Sequence, residues 1–498
     1  MFEVSVNKDV GRIILRTDDS SVKYMFESIV WEKLYVKGKS INVPKNYKIY
    51  DNGNDIRDEN GNYVFIFNYG WASYLLRVFK GYLSVSDYDA LVRLLMSDTY
   101  RTIPFQGLRD YQNEDVLHLL RYNIGLFSCF TSYGKTQLIA VLAQYFYSLG
   151  KRVILITPGK KACDELKKRL KSLYGIETPS EDGRIGSVIT SGLLNRKDVR
   201  DPQSLALLEK DWATYDVILC DEVEYCVNSE SGQFLFDRLI GAEKRYAFSG
   251  TADKQGGEMI GFKDGLDENV MRNRNLVKYF GPSIIYRLPT TMNVNMIKIK
   301  TSAFAGIKFP ESDFNEGNIY LKVITRLFTS PEFCNLLIKI IKRYPKLYTP
   351  VNNLQNIINY WIDNWLIGKF RILLICAEGY IYYDLDGTRK KLKDLSEACD
   401  YVRDGKVDFI PSTSAGFRAL DLPGLQSVLV LTGKLAGVVI QSIGRCGRGT
   451  DMNIIGIDTI SGRKIPIYSK GMAERDELIK GYYTYCNIVE SEIYETSL

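Results

Sequence analysis

Residues 124–136, IGLFSCFTSYGKT, run from a short apolar stretch through Gly134-Lys135-Thr136 into the amphipathic segment Gln137–Gly150. An apolar run, a glycine turn and a helix-patterned segment read as strand, phosphate loop and helix. The backbone N–H groups of such a turn, with the positive end of the helix behind it, suit the β- and γ-phosphates of a nucleotide. Lys135 would then supply a point charge to those phosphates and Thr136 a hydroxyl to Mg²⁺. The match is partial, because Cys129 stands where the pattern asks for glycine. A lysine in an ordinary surface turn is the competing explanation, so the rest of the chain decides.

With 498 residues, 45% of them hydrophobic and 25% charged, the chain has a soluble composition and length for about three domains. No apolar run approaches the roughly 18 residues of a membrane span, and MFEVSVNKDV lacks the apolar core of a signal peptide. A cytosolic setting is expected. The nine cysteines form no CxxC pair, which argues against zinc and disulfides. His118 is the sole histidine, so a multi-histidine metal site is excluded and a Ser-His-Asp triad has one candidate. It lies at helical spacing in YQNEDVLHLLRY, where packing or capping is its ordinary use. The formal charge of +6 permits a polyanionic partner without requiring one.

Residues 1–100 carry short β-like pieces (Phe2–Val6, Arg12–Arg16, Tyr63–Phe67) divided by Asn/Asp/Gly turns, then a helical pattern over Ser84–Met96. Lys alternates with Trp and Tyr over Trp31–Lys48, a mixture that serves nucleic-acid binding or a solvated domain edge equally well. From Leu108 the pattern changes to helices alternating with fully apolar runs, the mark of a parallel sheet covered on both faces. The runs are Arg152–Pro158, Gly186–Ser191, Val217–Glu222 and Tyr246–Thr251, each ending in small or polar residues. Ligands of open α/β sheets bind at those ends. Residues 254–287 read as a loop or insertion. A second α/β region follows, with helices over Asn318–Phe328 and Pro331–Arg343, strands over Arg371–Ala377 and Val428–Thr432, and a helix from about Val438. The expected organisation is a small α+β domain (1–100) and two parallel-sheet domains (101–287 and 288–498).

Asp221 and Glu222 follow the apolar run VILC directly. One carboxylate at such a strand tip can hold Mg²⁺ through water while its neighbour orients the attacking water for phosphoryl transfer. Acidic helix caps look the same in isolation. Late in the chain, Gln441, Arg445 and Arg448 of QSIGRCGR fall on one helical face. Two arginines and an amide there suit charge developing on a transferring phosphoryl group.

Taken in order, these pieces resemble a superfamily 2 helicase or translocase over roughly residues 108–480. LRDYQ, Leu108–Gln112, looks like the glutamine element that contacts adenine, and TSYGKT like motif I, which implies Thr131, Ser132, Tyr133, Gly134, Lys135 and Thr136 around the phosphates. ITPGKKACDEL with Pro158 resembles motif Ia, VITSG with Thr190 and Ser191 motif Ib, DEVE the DExH/DExD box, and Ser249-Gly250-Thr251 motif III. TSAGFRALDLPG resembles motif V, with Thr413 toward nucleic acid and Gly416 and Asp421 toward nucleotide; QSIGRCGR resembles motif VI. Length, the SGT triplet and FGPSII after it make the chain similar to phage UvsW-type DNA helicases, which join a small N-terminal DNA-binding domain to two RecA-like domains.

That resemblance implies an ATP- and Mg²⁺-dependent motor on nucleic acid, with DNA favoured over RNA: forks, junctions, duplexes or RNA–DNA hybrids. Lys135, Asp221, Glu222, Gln441, Arg445 and Arg448 would be catalytic, Thr136 and Asp221 would hold the metal, and Pro158, Thr190, Ser191 and Thr413 would meet the strand. The expected setting is a replication, recombination or transcription assembly, with protein partners unnamed by the sequence and no membrane. Motif VI opens on Gln441 and lacks the histidine usual in DEAD-box proteins, which points away from RNA work. Glu224 stands in the box where Asp or His is usual. The alternative function it motivates is a nucleotide-dependent binding or recruiting module that does not unwind; a small-molecule P-loop kinase would leave QSIGRCGR idle.

Overall fold

The structure, a computed structural model, describes residues 2–7, 12–34, 47–48, 50–51, 54–98, 100–130, 133–250, 274–281, 283–289, 292–309, 319–351, 355–413, 422, 424–431, 443, 451–459 and 466–498. The fold is α/β: two RecA-like parallel-sheet domains in tandem, preceded by a small α+β domain. Two compact units divide the chain between Arg287 and Leu288.

The first unit is built on six strands, Ile124–Cys129, Val153–Thr157, Ile185–Ile189, Val217–Asp221, Lys244–Ser249 and Ser283–Arg287. Three of them, Ile124–Cys129, Val153–Thr157 and Val217–Asp221, are buried at every residue, which is why they read as unbroken apolar runs and not as alternation. All pairings are parallel. Numbered along the chain, the strands lie in the order six, one, five, four, two, three. Because the strands are parallel and in register, Cys129 faces Arg287, Ser128 faces Ser249 and Asp221 faces Phe248, so these chain exits share one edge of the sheet. We refer to Ile124–Cys129 as the loop strand and Ser283–Arg287 as the exit strand.

The exit strand and the helix Arg274–Phe280 before it fall where sequence patterning predicts only a loop. The strand is five residues long, starts behind Gly281-Pro282, and is specified by a partner remote in sequence, so no local periodicity marks it.

The N-terminal sheet is antiparallel, ordered Glu3–Asn7, Arg12–Thr17, Tyr63–Asn68, Tyr47–Lys48. The helix Val85–Leu95 beside it is capped by Ser84, whose side chain accepts from Asp87 N–H at 3.1 Å. Its phenylalanines, Phe2, Phe26, Phe65, Phe67 and Phe79, form a core that continues into Ile124 and Val277 of the larger sheet layer. Polar contacts fix the same junction: the Asn123 side-chain amide donates to Met96 O at 2.8 Å, and Lys244 Nζ to Ser97 Oγ at 3.0 Å. The buried Arg245 guanidinium donates to Ala242 O and Leu239 O at 3.0 and 3.1 Å, and burial lowers its pKa to about 10.

The second unit carries a nine-stranded sheet in the order Arg389–Leu392, Gly379–Tyr383, Ile372–Cys376, Phe409–Ser412, Leu347–Pro350, Ser427–Leu429, Asp451–Thr459, Asn293–Thr301, Asn487–Tyr494. Its pairings are parallel except for the hairpin at one end, where Ile372–Cys376, Gly379–Tyr383 and Arg389–Leu392 run antiparallel. The predicted helix Pro331–Arg343 is present, with Ser330 accepting from Phe333 N–H at 3.2 Å and Pro331 at the first helical position. Residues 355–366, rich in Trp and Asn, form a helix that widens into a π-helical turn at Ile362–Leu366. Among the described residues no helix is long and apolar enough to cross a membrane.

Gly70 lies where the N-terminal layer meets the helix Arg274–Phe280: a Cβ there would overlap the carbonyl oxygen of Val277 and approach that of Lys278. Gly70→Ala is therefore expected to lower stability by about 1–3 kcal/mol, read as a lower melting temperature in thermal denaturation.

Candidate nucleotide site at the strand tips

The phosphate loop leaves the loop strand after Cys129 and enters the helix Lys135–Ser148 through Gly134. Gly134 has φ 101°, ψ 31°, a conformation open to glycine, and a Cβ there would lie 2.7 Å from Gln112 Nε2. The side chain of Gln112 is what occupies that space. It donates from Nε2 to Tyr133 O at 2.6 Å and accepts from Arg109 N–H at 3.0 Å, so the glutamine both closes the start of its own helix, Asp110–Leu119, and holds the loop backbone. Tyr133 is buried, and its hydroxyl donates to Asp115 Oδ2 at 2.6 Å. Burial and that carboxylate together raise the pKa of the phenol. Cys129 is buried beneath the loop, its thiol pushed up to about 12 by desolvation, so it serves as a small neutral core residue where the loop pattern has glycine.

Across the edge, Asp221 closes its strand and Glu222 turns the chain into the short helix Val223–Val227. Glu222 sits at φ 46°, ψ 50°, a left-handed conformation costing a non-glycine residue roughly 1–3 kcal/mol. Its backbone N–H is directed onto Asp221 Oδ1 at 2.9 Å. The Asp221 carboxyl is 8% exposed, and its pKa is raised to about 7 by burial and by the Glu222 charge, against the opposing charge of Lys135. Glu224, one helical residue further, accepts from Ser249 Oγ at 2.7 Å, joining the acidic box to the tip of the neighbouring strand.

The structure thus brings Gln112, Tyr133, Gly134, Lys135, Asp221 and Glu222 to one end of one sheet, with Lys135 and Thr136 half-buried at the first two positions of the helix. Pro158 and Thr190 are buried; Thr190 donates its backbone N–H to Thr157 O at 3.0 Å and its hydroxyl to Cys226 Sγ at 3.7 Å, toward the protein interior. Ser191 beside it is exposed. Thr413 of the second unit is buried, with its N–H on Ile375 O at 2.9 Å. Thr131, Ser132, Gly416, Asp421, Gln441, Arg445 and Arg448 lie outside the described residues, as does Thr251. Sequence reasoning passed over Asp115 and Arg287, whose ion pair supports Tyr133; their separation along the chain leaves no local signal.

The donor set fits a nucleotide with a divalent cation. A buried carboxyl facing a second acid and a lysine is poorly solvated by the protein alone, and a hard cation on Asp221 with the Thr136 hydroxyl would offset that cost. Among the described residues no cluster of three or more His, Cys, Asp or Glu stands ready to bind a metal. One carboxylate plus phosphate and water oxygens is a different and sufficient arrangement for Mg²⁺.

No protein-family model matches the chain, and no curated protein matches it. Solved structures similar to it include that of T4 UvsW, at 13% identity over 99% of each chain with TM-score 0.35. S. cerevisiae Dbp5 bound to RNA and ADP BeF3 is 11% identical over 78% of this chain and 91% of that one, TM-score 0.48. The Mycobacterium smegmatis helicase Lhr bound to ssDNA and AMP-PNP is 11% identical over 76% and 48%, TM-score 0.43.

An Asp that ionises near 7 when folded and near 4 when unfolded costs stability as pH rises through that interval, by up to about 1.4 kcal/mol per pH unit. Asp221→Asn is expected to melt higher than the parent protein at pH 8, with the advantage shrinking toward pH 4. Equal shifts at both pH values would show that Asp221 is not held up by its surroundings.

Proposed function

We propose that the protein is an ATP-dependent nucleic-acid translocase or helicase acting on DNA in preference to RNA. The observation that carries this reading is the placement of Lys135, at the start of a helix behind a glycine turn, within electrostatic reach of Asp221 and its strained neighbour Glu222. Gln112, tied to the loop backbone through Tyr133 O, adds a base-reading position to that phosphate-and-metal set.

In this mechanism Lys135 Nζ and the N–H groups at the head of the helix Lys135–Ser148 hold the phosphates of ATP. Thr136 and Asp221 would hold Mg²⁺, which supplies neutralisation of the β- and γ-phosphate charge when bound. Glu222, beside Asp221 at the same strand tip, orients the attacking water and takes its proton at the carboxylate. The Ser249–Glu224 hydrogen bond ties the acidic box to a second strand tip, a route by which hydrolysis is communicated out of the site. Arg445 and Arg448 are proposed to complete the charge stabilisation, and Pro158, Ser191 and Thr413 to lie along the nucleic-acid path. Thr190 would act there through its backbone, because its hydroxyl is spent on Cys226.

Lys135→Ala and Glu222→Gln are each expected to reduce nucleic-acid-stimulated ATP hydrolysis by at least about a hundredfold while leaving the far-ultraviolet circular dichroism spectrum unchanged. Turnover measured with single-stranded DNA, duplex, forked DNA and RNA in turn tests the substrate preference. Near-normal turnover in either variant would remove its assigned role. Stimulated hydrolysis without strand or triplex displacement would favour the binding-module alternative.

A further inference from the structure

Arg287 is the last residue of the first unit, and from Leu288 onward the chain belongs to the second. The Arg287 side chain, 52% exposed, places two arms on Asp115, with Nη2 to Oδ1 at 2.5 Å and Nε to Oδ2 at 2.9 Å. Asp115 is 2% exposed, and the same Oδ2 receives the Tyr133 hydroxyl at 2.6 Å. Tyr133 is clamped edge-on by Phe127 and Tyr111, with ring centroids 5.6 and 5.2 Å away. Its carbonyl is held by Gln112. Gln112 and Asp115, three positions apart and so on one face of their helix, grip the same loop residue, one by backbone and one by side chain.

The exit strand makes this geometry informative. Arg287 is paired in register with Cys129, so the chain leaves the first unit beside the point where the phosphate loop begins. A buried carboxylate deprived of its cation costs several kcal/mol, so Asp115 cannot stay as it is when Arg287 departs. Tyr133, bonded to the same oxygen, must respond. Half of the arginine side chain is in water, so its wet end is where the pair would open if the chain beyond Arg287 shifted.

We propose that Arg287 is a positioning residue that couples the chain segment leaving the first unit to the phosphate loop, through Asp115 and Tyr133. The coupling rests on the reading of the loop as a nucleotide site. A nucleotide that requires Tyr133 in its present place favours the position of the departing chain that keeps Arg287 on Asp115. By reciprocity, nucleic acid that moves that segment changes nucleotide affinity by the same factor.

The test is AMP-PNP affinity of the full chain with and without a single-stranded DNA oligonucleotide, in the parent protein, Arg287→Lys, Tyr133→Phe and the double variant, with melting temperatures alongside. In the parent protein DNA is expected to change the affinity by at least about fivefold. In Arg287→Lys, which keeps the charge and loses the two-armed grip, the factor falls to within about twofold of one. Tyr133→Phe keeps the ion pair and removes the hydroxyl that links Asp115 to the loop, together with its longer contact to Tyr111 O, so it answers the same question if Arg287→Lys does not fold. The double variant loses no more coupling than either single one. A role in stability alone would shift the melting temperature and both affinities together and leave their ratio untouched. An unchanged ratio in the variants overturns the proposal, as does a parent ratio of one. Failure of the parent protein to bind AMP-PNP at all would remove the nucleotide reading itself.

Discussion

A parallel strand buried on both faces has no side chain to offer water until it ends. That constraint organises the first unit. The loop strand, Val153–Thr157 and Val217–Asp221 are buried at every position, so their polar chemistry gathers at and just past their ends, at Gly134 to Thr136 and at Asp221 with Glu222. Parallel pairing then sets those exits side by side instead of alternating them between two edges. The site is a consequence of how the core is covered, and its residues need not be near one another in sequence.

Collecting polar groups at the rim of a core has a cost, visible as strain and desolvation. Glu222 holds a left-handed backbone, Gly134 a positive φ that a side chain would oppose, and Asp221 a carboxyl driven toward neutrality. The surrounding layers fix all three. Gln112 fills the space above Gly134, and Cys220 and Cys226, buried on either side of the acidic pair, each direct a thiol toward Asp221 O at 3.9 and 3.8 Å. A ligand bringing phosphate and a cation, as in the proposed function, would relieve the electrostatic part of this cost.

Asp221 and Glu222 follow the apolar run VILC directly, and Lys135 and Thr136 follow the glycine turn behind another such run, so their placement at strand tips was legible, while their roles belong to the proposal. The tandem α/β architecture was legible for the same reason. What the chain hid were features set by remote partners. The exit strand SIIYR is too short to show a period, and the antiparallel hairpin Gly379–Leu392 offers alternation over only a few residues. The Asp115–Arg287 pair spans most of the first unit. Thr190 illustrates the converse: the VITSG pattern was legible, yet the burial that makes the strand stable also turns the threonine hydroxyl onto Cys226, leaving Ser191 as the exposed hydroxyl of that turn.

The N-terminal sheet meets the other end of the same strands. The N-terminal domain's contacts, through Met96, Ser97, Tyr69 and its apolar core, fall on Asn123 and Ile124, which precede and begin the loop strand, and on Lys244 and Arg245, which begin the strand ending at Ser249. A strand of five or six residues is a stiff connector of less than about 20 Å, so the small domain and the phosphate loop are fixed to opposite ends of one rigid layer. The shared apolar core and the buried Arg245 leave that junction little freedom to hinge. Within the first unit, a change at the strand tips therefore has the α+β domain as its anchored end.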